Sequence, residues 1–198
     1  MLKTTILGLD QITSSITIAL AKSRMINLLT IVDDTYVKNP CLDGILYSTI
    51  DIGKRKVSAT YEKISKINPS LDIILYETNS IKKVVLKIDK NSDIIILSKK
   101  FLKEIKDNSK NISKTIVYSV IKDEKGYIYI IHKPTETILE QLEENSTVTP
   151  ENCYKSLQAD IIGLFTAYEA LKYLRNKCKN NILTIIDFRK NQIYTQTY

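Results

Sequence analysis

The chain has 198 residues, 43% of them hydrophobic and 26% charged, with a formal net charge of +7. That balance excludes a disordered chain and suffices for the core of one ordinary domain, expected over residues 1–198. No apolar run reaches the roughly 18–20 residues that span a bilayer, and the opening Met1-Leu2-Lys3-Thr4-Thr5-Ile6-Leu7-Gly8 has the character of a strand rather than of a signal peptide, so a cytoplasmic protein with no membrane partner is expected.

Strand and helix patterns alternate along the chain. Thr4–Leu7 is a β-rich run ending at Gly8. Ile12, Ile16, Ala19 and Leu20 fall at helical spacing over Ile12–Lys22, where Thr13, Ser14 and Ser15 offer capping hydroxyls. Leu28–Val32 is a second strand, ended by Asp33-Asp34. Residues 35–52 carry Pro40 and Gly44 and read as a long crossing loop. Asp51 is expected to cap a helix over about Gly53–Ile67, with Val57, Tyr61 and Ile64 on one face and Asn68-Pro69 as its stop. Leu71–Tyr76 is a third strand, Ile81–Ile88 a short helix, and Asp93–Leu97 a strand apolar enough to be covered on both faces. Thr115–Val120 and Tyr127–His132 flank the turn signal Asp123-Glu124-Lys125-Gly126. Thr135–Glu144 reads as a short acidic helix and Asn145–Glu151 as a flexible polar segment. Leu157–Cys178 is the longest helix, with Ile161, Leu164, Phe165, Tyr168, Leu171 and Leu174 forming a wide apolar face. Ile182–Ile186 and Gln192–Thr197 close the chain as a hairpin.

This order implies an α/β fold: a Rossmann-like, doubly wound, mostly parallel sheet with late antiparallel hairpin strands. Ligands of such sheets bind beyond the carboxyl ends of the strands, here Gly8, Asp33 and the stretch after Leu97. A nucleotide loop at the first turn usually needs G-x-G-x-x-G, so that backbone can approach phosphate. Only Gly8 stands at its place; Asp10 and Thr13 hold the second and third glycine positions. A carboxylate about 5 Å from a phosphate costs roughly 3 kcal/mol at an effective dielectric near 20, more than the ~0.3–1 kcal/mol a helix N-terminus returns.

Cys41, Cys153 and Cys178 are odd in number and widely spaced, against a disulfide framework or a zinc site, and no metal ligand set is assigned. The single histidine, His132, sits in a strand and is read without a functional role; no residue is singled out as catalytic. Lys and Arg are mixed with Asp and Glu rather than gathered in a block, so a solvated surface is favoured over a nucleic-acid footprint.

Several segments carry a resemblance. Leu29-Thr30-Ile31-Val32-Asp33-Asp34-Thr35-Tyr36-Val37-Lys38-Asn39-Pro40 is similar to L-T-L-V-D-D-D-x-V-E-x-S-N, and Asp51-Ile52-Gly53-Lys54-Arg55-Lys56 to D-I-G-x-x-K. Ile67-Asn68-Pro69 resembles an L-N-P helix end, and Ile161-Ile162-Gly163 through Ala167-Tyr168-Glu169-Ala170-Leu171-Lys172-Tyr173-Leu174 resembles I-I-G-x-x-x-A-x-E-A-I-K-x-L. In this order and spacing they resemble the ThiF/MoeB/HesA family of adenylating enzymes, which includes the ubiquitin-activating enzymes. The resemblance implies Mg-ATP-dependent adenylation of the C-terminal glycine of a ubiquitin-like or sulfur-carrier protein, by a homodimer or a heterodimer. It assigns cofactor-binding roles to Gly8 in the loop, Asp33 at ribose and Lys56 at phosphate. The family's loop arginine has no counterpart in Cys41-Leu42-Asp43-Gly44-Ile45, and its metal-binding Asp falls near Lys99-Lys100-Phe101. Cys153 lies roughly where some members place a transfer cysteine. The pattern favours a catalytically degenerate dimer subunit acting through protein contacts. The alternatives are an active ATP-dependent adenylyltransferase, a nicotinamide- or flavin-binding Rossmann protein, and a nucleic-acid binder.

Overall fold

In the computed structural model, which describes residues 2–145 and 153–198, one eight-stranded sheet runs in the order β3-β2-β1-β4-β5-β6-β7-β8. Its strands are β1 (Leu2–Leu7), β2 (Ile26–Val32), β3 (Asp72–Tyr76), β4 (Ile94–Leu97), β5 (Thr115–Lys122), β6 (Lys125–Ile131), β7 (Ile182–Asp187) and β8 (Gln192–Thr197). The first five are parallel, and β6, β7 and β8 are antiparallel additions at one side. The helices are α1 (Gln11–Ser23), α2 (Lys56–Ile67), α3 (Val85–Lys90), α4 (Lys99–Asp107), α5 (Glu136–Asn145) and α6 (Cys153–Arg175).

The core forms two layers because strand side chains alternate. Ile6, Ile94 and Ile96 point to one side, with residues of α1, α2 and α6; Leu7, Ile95 and Leu97 point to the other, with residues of α3, α4 and α5. Both faces of the central strands are therefore apolar, as a doubly wound sheet requires. The chain lays β2 and β3 on one side of β1 and β4 on the other, so the switch point lies between the ends of β1 and β4.

Sequence and structure part at several places. Helix α4 escaped the sequence reading, although Phe101, Leu102 and Ile105 are buried at helical spacing and a parallel β4–β5 pair needs a crossover. Asp51 does not cap α2. It closes a 3-10 turn at Thr49–Asp51, and α2 starts later, at Lys56. Tyr61 faces solvent. The β5–β6 turn is tighter than the signal suggested: Asp123 and Glu124 alone make it, both at positive φ, and Lys125 already pairs with Lys122. The reading of Asn145–Glu151 as flexible falls, from residue 146 on, outside the described residues. In α6 the expected apolar face is divided: Phe165, Leu171 and Leu174 pack partly buried against the core, but the rest of that face does not. Ile162, Ala167, Ala170 and Tyr173 face the core, while Ile161, Leu164 and Tyr168 are exposed.

Candidate functional site

The crevice at the switch point is built around the loop Gly8–Asp10. Gly8 ends β1 at φ 83° and lies so close to β4 that a Cβ on it would stand 2.0 Å from Ser98 Oγ. Glycine is the residue that meets both demands. The Gly8 amide donates to the Val32 carbonyl at 2.8 Å, tying the loop to β2.

The next residues are held by side chains. Asp33 follows β2 and is 2% exposed. Its Oδ2 accepts from the Leu9 amide at 2.8 Å, while Oδ1 accepts from the Thr35 amide at 2.6 Å and from the Thr35 hydroxyl. Lys56, in the first turn of α2, donates from Nζ to the Leu9 carbonyl at 2.6 Å. Asp33 and Lys56, read apart in the sequence, thus meet on the two backbone groups of one residue.

Asp10 caps α1: its carboxylate accepts from the Thr13 amide at 2.8 Å, and its own amide donates to Thr13 Oγ1 at 2.9 Å. This capping box replaces the expected caps at Thr13, Ser14 and Ser15. Thr13 serves as the box partner and also donates to the Gly8 carbonyl at 2.8 Å. Ser15 instead faces α6, donating to the Asp160 carboxylate.

The positions around the loop are engaged too. Lys100, near the expected metal position, pairs with Asp34, and this hydrogen bond holds the Asp34 carboxyl below its usual range. Gly44, at the place of the missing arginine, packs against Gln11, whose Nε2 donates to the Ser156 carbonyl of α6 at 2.9 Å. Between these parts lies a pocket of about 200 Å³, lined by Leu9, Asp10, Gln11, Ser14, Cys41 and Lys56 among others. Among the described residues, no group of three or more His, Cys, Asp or Glu could hold a metal ion. No helix among them is long and apolar enough to cross a membrane. His132 lies apart from the crevice, its amide on Asn181 Oδ1 at 2.9 Å. Cys153 opens α6, and its side chain lies outside the described residues.

A doubly wound sheet with a tight glycine turn at its switch point and an acidic residue at the end of β2 defines the Rossmann-like class. Within it, the chain belongs to the ThiF family, whose model matches residues 2–197. The chain is 28% identical over 165 residues to a protein of Gracilaria tenuistipitata var. liui named as a probable molybdopterin-synthase adenylyltransferase, covering 75% of this chain and 44% of that protein. The crystal structure of E. coli MccB with ATP superposes with a TM-score of 0.76 at 15% identity, over 99% of this chain and 63% of MccB. MccB with AMPCPP and MccA gives 0.75, and PaaA gives 0.72 over 98% of this chain, both at 15% identity. At that identity the likeness is one of fold. The chain spans under half of the curated relative and under two thirds of these solved structures.

Proposed function

We propose that this chain acts in the activation of a ubiquitin-like or sulfur-carrier protein as a ThiF-family subunit working through protein contacts, without gripping Mg-ATP itself. One observation carries this reading: the loop that would cradle phosphate is satisfied by its own chain. The Leu9 amide is taken by Asp33, the Leu9 carbonyl takes the Lys56 ammonium, and the Asp10 carboxylate sits on the start of α1. The residues present therefore do not fit a magnesium-bound triphosphate. A nucleotide would have to displace these hydrogen bonds, of which the Asp33–Leu9 bond is buried and costs about 1–3 kcal/mol to leave unpaired, while those of Lys56 and Asp10 are part-buried. Near the expected metal position stands the ammonium of Lys100, already paired with Asp34. An inactive subunit of this kind requires a catalytic partner, either a related subunit in a heterodimer or a second assembly.

The names of the relatives agree with the carrier-activation half of the reading. The Gracilaria protein is named as a probable molybdopterin-synthase adenylyltransferase, and MccB crystallised with MccA. Calorimetry with Mg-ATP tests the rest. No heat of binding is expected with the nucleotide at tens of micromolar. Micromolar affinity, together with pyrophosphate exchange that depends on an added carrier protein, would overturn the proposal.

A second reading, an active adenylyltransferase, is favoured by a different observation. Asp33 and Lys56 converge on Leu9 beside the pocket, so a swing of Lys56 away from the Leu9 carbonyl would free one cation at the loop. It requires that wild-type protein support exchange and that Lys56→Ala abolish it.

A further inference from the structure

Lysines and carboxylates are mixed along the sequence, and the fold sorts them. Residues 78–114, which carry α3 and α4, hold ten lysines and four carboxylates, a net +6 out of the +7 of the whole chain. Three of those carboxylates staple this layer together through backbone amides. Glu104 of α4 accepts from the Ile81 amide at 2.7 Å, Asp89 of α3 from the Ser113 amide at 2.8 Å, and Asp93 from the Lys3 amide at 2.8 Å. The fourth, Asp107, is exposed at the end of α4. Helix α5 packs along α4, and its Glu143 takes Lys106 at 2.7 Å, while Lys100 is taken by Asp34. The charge left over lies on α3, on the 3-10 turn Ile81–Lys83 before it and on the turn Ser109–Asn111 that packs beside it. Lys82, Lys87, Lys90 and Lys110 are exposed there and, among the described residues, make no ion pair.

What accompanies these lysines selects their partner. Among the described residues of 78–114, no large apolar side chain is exposed. A protein partner needs an apolar centre to its interface, and a bilayer surface gains from an apolar or aromatic side chain to insert; this face offers neither. Interfaces with nucleic acid are the polar and positive kind. Exposed rings for unpaired bases to stack on are lacking as well, which points to a duplex rather than a single strand. The stretch holds no arginine to read base edges bidentately, and lysine meets phosphate as a point charge. We infer that α3 and the turns beside it form a surface for the phosphate backbone of double-stranded nucleic acid, bound without sequence preference. This goes beyond the proposed function, since it depends on the α3 layer and not on whether the loop takes nucleotide.

The test titrates the whole chain against a fluorescein-labelled DNA duplex of about two helical turns, by fluorescence anisotropy at about 50 and 200 mM salt. Micromolar binding is expected at the lower salt. Four lysines on four phosphates should make it fall on the order of 100-fold at the higher salt. The triple variant Lys87→Glu, Lys90→Glu, Lys110→Glu should lose at least tenfold in affinity with no change in circular dichroism. The triple variant Lys22→Glu, Lys66→Glu, Lys179→Glu removes the same charge from exposed positions elsewhere and should lose less than threefold. No binding to the duplex, binding indifferent to salt, equal losses in the two triple variants, or tighter binding to a single strand of the same length or to phosphatidylserine vesicles would each overturn the assignment. Mg-ATP calorimetry reads the loop separately, so failure here leaves the proposed function standing.

Discussion

Replacing Asp33 separates a structural clasp from a nucleotide ligand. In Asp33→Ala the Leu9 amide, the Thr35 amide and the Thr35 hydroxyl all lose their acceptor at a site 2% exposed. Hydrogen bonds to a charged group are worth about 1.5–3 kcal/mol each. Thr35 is near enough to solvent for water to replace part of its share, so a total loss of about 3 kcal/mol is expected, most of it from Leu9. For a chain of this size that corresponds to a fall in Tm of roughly 6–12 °C. Asp33→Asn keeps one acceptor oxygen in place and should lose about half as much. Urea denaturation followed by circular dichroism measures both, and an unchanged m-value would show that the same transition is being compared. A stability loss in the alanine variant below about 0.5 kcal/mol would refute the reasoning, because Asp33 would then be free for a ligand rather than committed to the loop.

Two further outcomes follow from single groups. Burial alone would raise the Asp51 carboxyl, but hydrogen bonds from Lys63 and Ser48 outweigh it and hold it down at about 2. A depressed carboxylate contributes stability above its unfolded pKa and loses it as pH falls, so about 2 kcal/mol should disappear between pH 4 and pH 2; Asp51→Asn should flatten that part of the stability profile, measured by urea titration at each pH. Gly163 lets α6 touch α1, and a Cβ on it would stand 2.6 Å from the Ile12 carbonyl oxygen and 2.6 Å from Ser15 Cβ. Backbone cannot yield as a flexible side chain does, so Gly163→Ala should cost about 2 kcal/mol in the same assay despite its better helix propensity, and a stabilised variant would contradict the close contact.

The sequence by itself determined the succession of strands and helices along the chain, the mostly parallel sheet with its late hairpins, and the family. Those features rest on local signals: apolar runs such as Ile94–Leu97, the stop at Asn68-Pro69, and the D-I-G-x-x-K and A-x-E-A-x-K spacings. It also marked Gly8, Asp33 and Lys56 as the residues to watch. It misplaced the start of α2 because Asp51, which looked like a cap, is drawn inward by Lys63, a contact across 12 positions that no local pattern carries. Only the tertiary structure brought Asp33 and Lys56 to the two sides of Leu9, since that meeting requires β2 and α2 to pack beside the end of β1. Only the tertiary structure decided which side of α6 is inside. Periodicity ranks side chains by hydrophobicity, whereas burial is set by where the sheet and α1 lie. Gly163, pressed against α1, turns the small residues of α6 inward, so Leu157, Ile161, Leu164 and Tyr168 are left to solvent.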